Sequence, residues 1–86
     1  MKITWRERAL RDYQGWQETN PEIFETINKL IKDIQQGHGK PKVLQRELKG
    51  WLSLQITKEK HRLVYRIRRE GRGKHVLEIL QCRGHY

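Results

Sequence analysis

The sequence predicts an α+β fold: two N-terminal helices packed on one face of a mostly antiparallel, twisted sheet of four to five strands. Three observations carry this. Apolar residues recur at helical spacing between Ala9 and Ile34, and at every second residue from Leu52 onwards. Gly37, Gly50, Gly71 and Gly73 separate the alternating runs of the second half. Helices come first and strands follow, which is the order of an α+β domain and not of alternating βα units.

Lys2 to Trp5 is rich in β-branched and aromatic residues and reads as a short first strand. Thr4-Trp5-Arg6-Glu7 also matches a capping box, which would start a helix near Trp5. That helix carries Ala9, Tyr13 and Trp16 on one face, with Gly15 weakening it slightly. Asn20-Pro21-Glu22 starts the second helix: a capping Asn, Pro at the first helical position, then an acid at the positive end of the dipole. Ile23, Ile27, Leu30, Ile31 and Ile34 form its stripe, and it stops at Gly37. Residues 37–41, Gly-His-Gly-Lys-Pro, read as loop.

Leu44 to Leu48 and Leu52 to Ile56 read as short strands hinged at Gly50. His61 to Arg69 alternates, with Leu63, Tyr65 and Ile67 towards the helices and Arg62, Val64, Arg66 and Arg68 on the opposite face. Gly71-Arg72-Gly73 turns the chain into a last strand from Val76 to Arg83. One domain spans residues 1–86, without repeat, linker or low-complexity segment.

Eighty-six residues hold one core. With 35% hydrophobic and 34% charged residues, that core is lean, and a tight partner would add to its stability. No apolar run is long enough to cross a membrane, and the start has no signal-peptide core, so the expected location is cytoplasmic. A single cysteine, Cys82, excludes an internal disulfide framework and a four-cysteine metal site. The net charge is +9, and its placement is uneven. Residues 1–36 carry six basic and six acidic side chains, whereas residues 37–86 carry thirteen and four. Such a one-sided basic domain points to nucleic acid, with an acidic protein as a compatible second partner. A basic face kept for solubility is the plainer alternative.

Arg62, Arg66 and Arg68 would project from one face of one strand, Arg66 and Arg68 about 7 Å apart, close to the spacing of successive RNA phosphates, and Arg62 about 13 Å from Arg66. A solvated sheet face has the same pattern. The closing residues Cys82-Arg83-Gly84-His85-Tyr86 put an imidazole and a phenol beside that row. RNA cleavage without a metal needs a base for the 2′-OH, an acid for the leaving 5′ oxygen, and cations on the phosphorane. His85 has the proton affinity for the first two tasks, Arg62 could hold phosphate, and Tyr86 could stack on a base or donate a hydrogen bond. An exposed, frayed end fits the spacing equally well. The scattered histidines and the lack of an acidic cluster argue against a metal or other cofactor. Cys82 reads as a small buried residue, and the three tryptophans and Phe24 as core. Gly37-x-Gly39-Lys40 lacks the Ser/Thr and spacing of a P-loop.

Read in order, Lys2-Ile-Thr-Trp, Tyr13-x-x-Trp16-Gln-Glu-Thr, Ile27-Asn-x-Leu-Ile-Lys-Asp, Gly39-Lys-Pro, Ile56-Thr, His61-Arg-Leu-Val-Tyr and the closing Cys-Arg-Gly-His-Tyr resemble the YoeB/Txe toxins of the RelE superfamily. The resemblance spans nearly the whole chain. It implies a microbial RNase fold, a type II toxin–antitoxin system, cleavage of mRNA in the ribosomal A site, and neutralisation by a YefM (Phd)-type antitoxin. The 70S ribosome and mRNA would be the targets, and the reading leaves room for a homodimer. By the same resemblance, the family's transition-state arginine falls on Arg62, its catalytic histidine on His85 and its terminal tyrosine on Tyr86. Its catalytic glutamate falls on Lys42, a nearby lysine on Gln45 and a strand arginine on Gln55, and the turn Lys58-Glu59-Lys60 has one extra residue. Three readings of the lost carboxylate stand open: Glu47 replaces it, Lys42 acts itself, or the nuclease is weakened and only binds. Lys40, Arg46, Lys49, Arg66, Arg68 and Arg83 complete the expected RNA contacts. A gyrase poison of the ParE kind on the same fold is a further alternative.

Overall fold

The computed structural model describes residues 1–58 and 60–84. The elements are β1 (Lys2–Trp5), α1 (Glu7–Thr19), α2 (Pro21–Gln35), β2 (Lys42–Val43), a 3-10 turn at Arg46–Leu48, β3 (Leu52–Gln55), β4 (Arg62–Arg69) and β5 (His75–Gln81). The sheet order is β1-β5-β4-β3-β2. All pairings are antiparallel except β1 on β5, where Ile3 lies opposite Leu77 and Trp5 opposite Ile79. The sheet is therefore mixed, with its single parallel pair at one edge.

The helices pack as their stripes require. Asn20 caps α2, its side chain accepting from the Ile23 amide at 3.3 Å, and Pro21 takes the first helical position. Ala9 and Trp16 of α1 and Ile27, Ile31 and Ile34 of α2 are buried against Leu63, Tyr65, Leu77, Ile79 and Cys82. Each apolar side chain the size of Leu or Ile buried here contributes about 1.5–3 kcal/mol. A second cluster covers the other side of the sheet: Leu44, Trp51 and Val64, flanked by Leu48 and Leu80. No helix among the described residues is long and apolar enough to cross a membrane.

Three local expectations are corrected. The first helix starts at Glu7, not near Trp5, because Lys2–Trp5 is extended in the ladder with β5 and Arg6 still donates its amide to the Ile79 carbonyl at 2.9 Å. The segment 44–48 is no strand. Arg46 adopts a left-handed φ of 59°, the chain closes a 3-10 turn, and Leu44 and Leu48 fold onto Trp51 and Val64. Ile67 is 42% exposed although it shares the face of Leu63 and Tyr65, since it joins neither apolar cluster at its end of β4.

Candidate functional site

The site grows from the start of β4. Arg62 pairs across to Gln55, so its side chain leaves the sheet on the face away from the helices, as do those of Val64, Arg66 and Arg68. The Nε of Arg62 is buried and has no hydrogen-bond partner among the described residues. A buried donor left in this state costs stability, so it gains by meeting a water, an ion or a ligand.

The chain after β5 is fastened to this point. The Arg62 amide donates to the Gly84 carbonyl at 3.2 Å, and the Gln81 side-chain amide donates to the same oxygen at 3.2 Å. The Gly84 amide donates to Nδ1 of His61 at 2.9 Å. Trp16 supports both partners: its Nε1 donates to the Cys82 carbonyl at 3.0 Å, and the His61 ring meets it edge-on, centroids 4.8 Å apart. Gly84 has φ 79°, where any side chain would be strained. His85 and Tyr86 follow it in the sequence and lie outside the described residues, as does Glu59.

The arginine row is not uniform. Glu78 of β5, buried opposite Arg66, accepts from Arg66 Nε at 2.7 Å and from Arg6 Nε at 2.6 Å, and Arg68 Nε stands 3.3 Å away. Burial tends to raise the Glu78 carboxyl, but the hydrogen bonds and charges of Arg66 and Arg6 outweigh it and hold it below its ordinary value. The guanidinium of Arg66 also covers the Trp51 ring, with that of Arg6 at 5.7 Å from the same centroid. Within the row, Arg62 is the member without a carboxylate partner among the described residues.

Lys42 lies opposite Ser53, which lies opposite Val64, so its side chain leaves on the same face as Arg62. Glu47 sits in the 3-10 turn, where strand alternation no longer governs its direction. Leu48 beside it packs onto the cluster of Leu44, Trp51 and Val64, so the turn lies over that face too. Lys40, Lys42, Arg46, Glu47 and Lys49 are all exposed. Arg83 is apart from this group: it is exposed and its guanidinium lies 5.1 Å from the Trp16 centroid. Among the described residues, no three His, Cys, Asp or Glu side chains gather as metal ligands would. A cleft of about 300 Å³ lined by Lys2, Glu70, Lys74 and His75 opens at the other end of β4, and Arg62 is not in its walls.

Sequence reasoning missed His61, Gln81 and Trp16 as the holders of Gly84, and Arg6 and Glu78 as members of an ion cluster. Glu78 left one signal: it is the acid in the otherwise apolar run Val76-Leu-Glu-Ile-Leu80. Nothing in the sequence pairs His61 with Gly84, because that contact joins two loops through the tertiary fold.

A family model described as the YoeB-like toxin of bacterial type II toxin-antitoxin systems matches residues 5–86. The chain is 43% identical to Toxin YoeB of Escherichia coli (strain K12), covering all of both chains. Among solved structures, a YoeB/ParE toxin from Agrobacterium tumefaciens superposes with a TM-score of 0.89 at 39% identity, again over all of both chains. The YoeB of a heterotetrameric YoeB-YefM complex from Staphylococcus aureus superposes with a TM-score of 0.84 at 32% identity, over 100% of this chain and 98% of that one.

Proposed function

Because the chain belongs to the YoeB-like toxin family of bacterial type II toxin–antitoxin systems, we propose that it is a ribosome-dependent endoribonuclease that cuts mRNA in the A site without a metal. The observation that carries this reading is Arg62, a half-buried side chain whose Nε is buried and has no hydrogen-bond partner among the described residues, beside the anchored Gly84 that precedes His85 and Tyr86.

In this reading the 2′-OH of the substrate attacks the adjacent phosphorus as a base removes its proton. Arg62 stabilises the charge on the phosphorane, and His85 protonates the departing 5′ oxygen. The products are a 2′,3′-cyclic phosphate and a free 5′-OH. Tyr86 stacks on a base or donates a hydrogen bond. Lys42 and Glu47 are the candidates for the base, both carried on the side of the sheet to which Arg62 projects. Lys40, Arg46, Lys49 and Arg83 offer exposed cations to phosphates, joined by the outer edges of Arg66 and Arg68.

The natural partner is an acidic antitoxin of the YefM type that covers the Arg62 face, a reading supported by the YoeB-YefM complex of the Staphylococcus aureus relative. Single-domain organisation over residues 1–86 and action in the cytoplasm belong to the same proposal, as does a homodimer, since the Staphylococcus aureus YoeB is also known as a dimer. A second reading rests on Lys42, which stands where the family has its glutamate: the chain binds the ribosome or antitoxin with little chemistry left.

Primer extension on a defined mRNA in a purified translation system decides between them. Cuts that require ribosomes and vanish with His85→Ala are expected, after which Lys42→Ala and Glu47→Ala identify the base. Ribosome binding with no cuts from the wild type favours the second reading and removes the first.

A further inference from the structure

We propose that His61 is a positioning residue for the cleavage reaction, setting through its Nδ1 the point from which His85 and Tyr86 leave Gly84; this inference rests on the nuclease reading above.

The regular ladder of β5 ends at Gln81, so residues 82–84 have only specific contacts to hold them. Two of these fix the Gly84 unit from opposite sides. Its amide donates to His61 Nδ1 at 2.9 Å, and its carbonyl, which begins the peptide leading to His85, accepts from the Arg62 amide at 3.2 Å. Two consecutive residues, His61 just before β4 and Arg62 at its start, thus grip both polar groups of one glycine. Any rotation about the left-handed Gly84 backbone would break one of the two.

His61 is itself held firmly enough to serve as a reference. Its amide donates to Thr57 Oγ1 at 3.1 Å, its carbonyl accepts from the Ile56 amide at 2.9 Å, and its ring rests against Trp16. An imidazole that accepts at Nδ1 carries its proton on Nε2, so the contact assigns the tautomer. Trp16 completes a rigid frame by binding the Cys82 carbonyl two residues before Gly84. Misplacing a catalytic group by about 1 Å can cost on the order of 10²-fold in rate, so an acceptor that sets this junction acts on turnover without touching the substrate.

Asparagine carries an oxygen on Cγ, where histidine carries Nδ1, whereas glutamine carries it one bond further out. His61→Asn and His61→Gln therefore separate the acceptor from side-chain bulk. The experiment measures, for each purified protein, hydrogen exchange of the Gly84 amide, thermal unfolding, and kcat and KM for ribosome-dependent cleavage. The expected result is faster Gly84 exchange and roughly 10- to 100-fold lower kcat with KM unchanged in His61→Gln, both largely restored in His61→Asn. Gly84 exchange unchanged in His61→Gln overturns the proposal, as does faster exchange with undiminished kcat. Losses shared by both variants in step with their melting temperatures overturn it as simple destabilisation. An inactive wild type is a separate result, which sinks the nuclease reading and the positioning role with it.

Discussion

The guanidinium of Arg66 lies over the indole of Trp51, 4.3 Å from the ring centroid. The same group donates through Nε to Glu78, so Arg66 is held between an apolar ring and a buried carboxylate. This pairing turns what reads in the sequence as a row of phosphate-binding cations into two different things. Arg66 and Arg68 are internally compensated, while Arg62 keeps an Nε that is unpaired among the described residues. Four predictions follow from this contrast and from the backbone around it.

Glu78→Gln should lower stability by about 1–3 kcal/mol at neutral pH, because charge-assisted hydrogen bonds to a buried carboxylate are lost. The pH dependence has a definite direction. A carboxyl held below its ordinary value stabilises the fold above the unfolded value, about 4.3, and that contribution disappears as pH falls through the lower folded value. Thermal unfolding between pH 7 and pH 3 should show a shallower acid limb in the variant. Parallel limbs would mean Glu78 is not the group responsible.

Arg62→Met should separate function from stability. On the proposed nuclease mechanism, in which Arg62 holds the phosphorane charge, the substitution is expected to reduce cleavage by at least about 10²-fold, and Arg62→Lys should not restore it, because an ammonium cannot reproduce the guanidinium fork. Stability should be unchanged or slightly raised, since the substitution removes a buried donor that has no partner among the described residues. Urea midpoints measured beside cleavage rates test both halves. A large loss of stability would show that Arg62 is a structural residue.

Arg46→Gly should stabilise the protein by roughly 0.5 kcal/mol. A left-handed φ costs a side-chain-bearing residue about 1–2 kcal/mol, partly offset by the extra freedom glycine gives the unfolded chain. Arg46→Val should have the opposite sign. Chemical denaturation of the two variants gives the comparison, and equal effects would remove backbone strain as the cause.

Cys82 should be inert in the native protein. It is buried, its Sγ donates to the Ala9 carbonyl at 3.4 Å, and burial, reinforced by Asp12, pushes its thiol up to about 12. Mass spectrometry after iodoacetamide treatment at pH 8 should find no adduct until denaturant is added. Rapid native labelling would contradict the burial of Cys82 beneath α1.

The elements that could be read from sequence are those set by short-range rules. Asn20-Pro21 announced α2 because capping and the fixed φ of proline act within one turn, and the stripe from Ile23 to Ile34 follows from 3.6-residue geometry. The eight-residue β4 was legible because its alternation is long enough to be unambiguous. Segment 44–48 was not, since its few apolar residues are compatible with a strand until Trp51 and Val64 supply the surface on which Leu44 and Leu48 pack. The capping box at Thr4 failed for a similar reason: a parallel ladder with residues more than seventy positions away holds Lys2–Trp5 extended.

By itself, then, the sequence determined the layer of helices, the alternating strands, the basic second half and the family likeness, all carried by local spacing and by residues in order. Tertiary structure alone decided which charges meet. It brought Glu78 beneath Arg66 and Arg6, turned Lys42 to the side of Arg62, and laid Gly84 against His61. The physical reason is that hydrogen bonds and ion pairs act over a few ångströms in space, and only strand register brings such distant positions within that range.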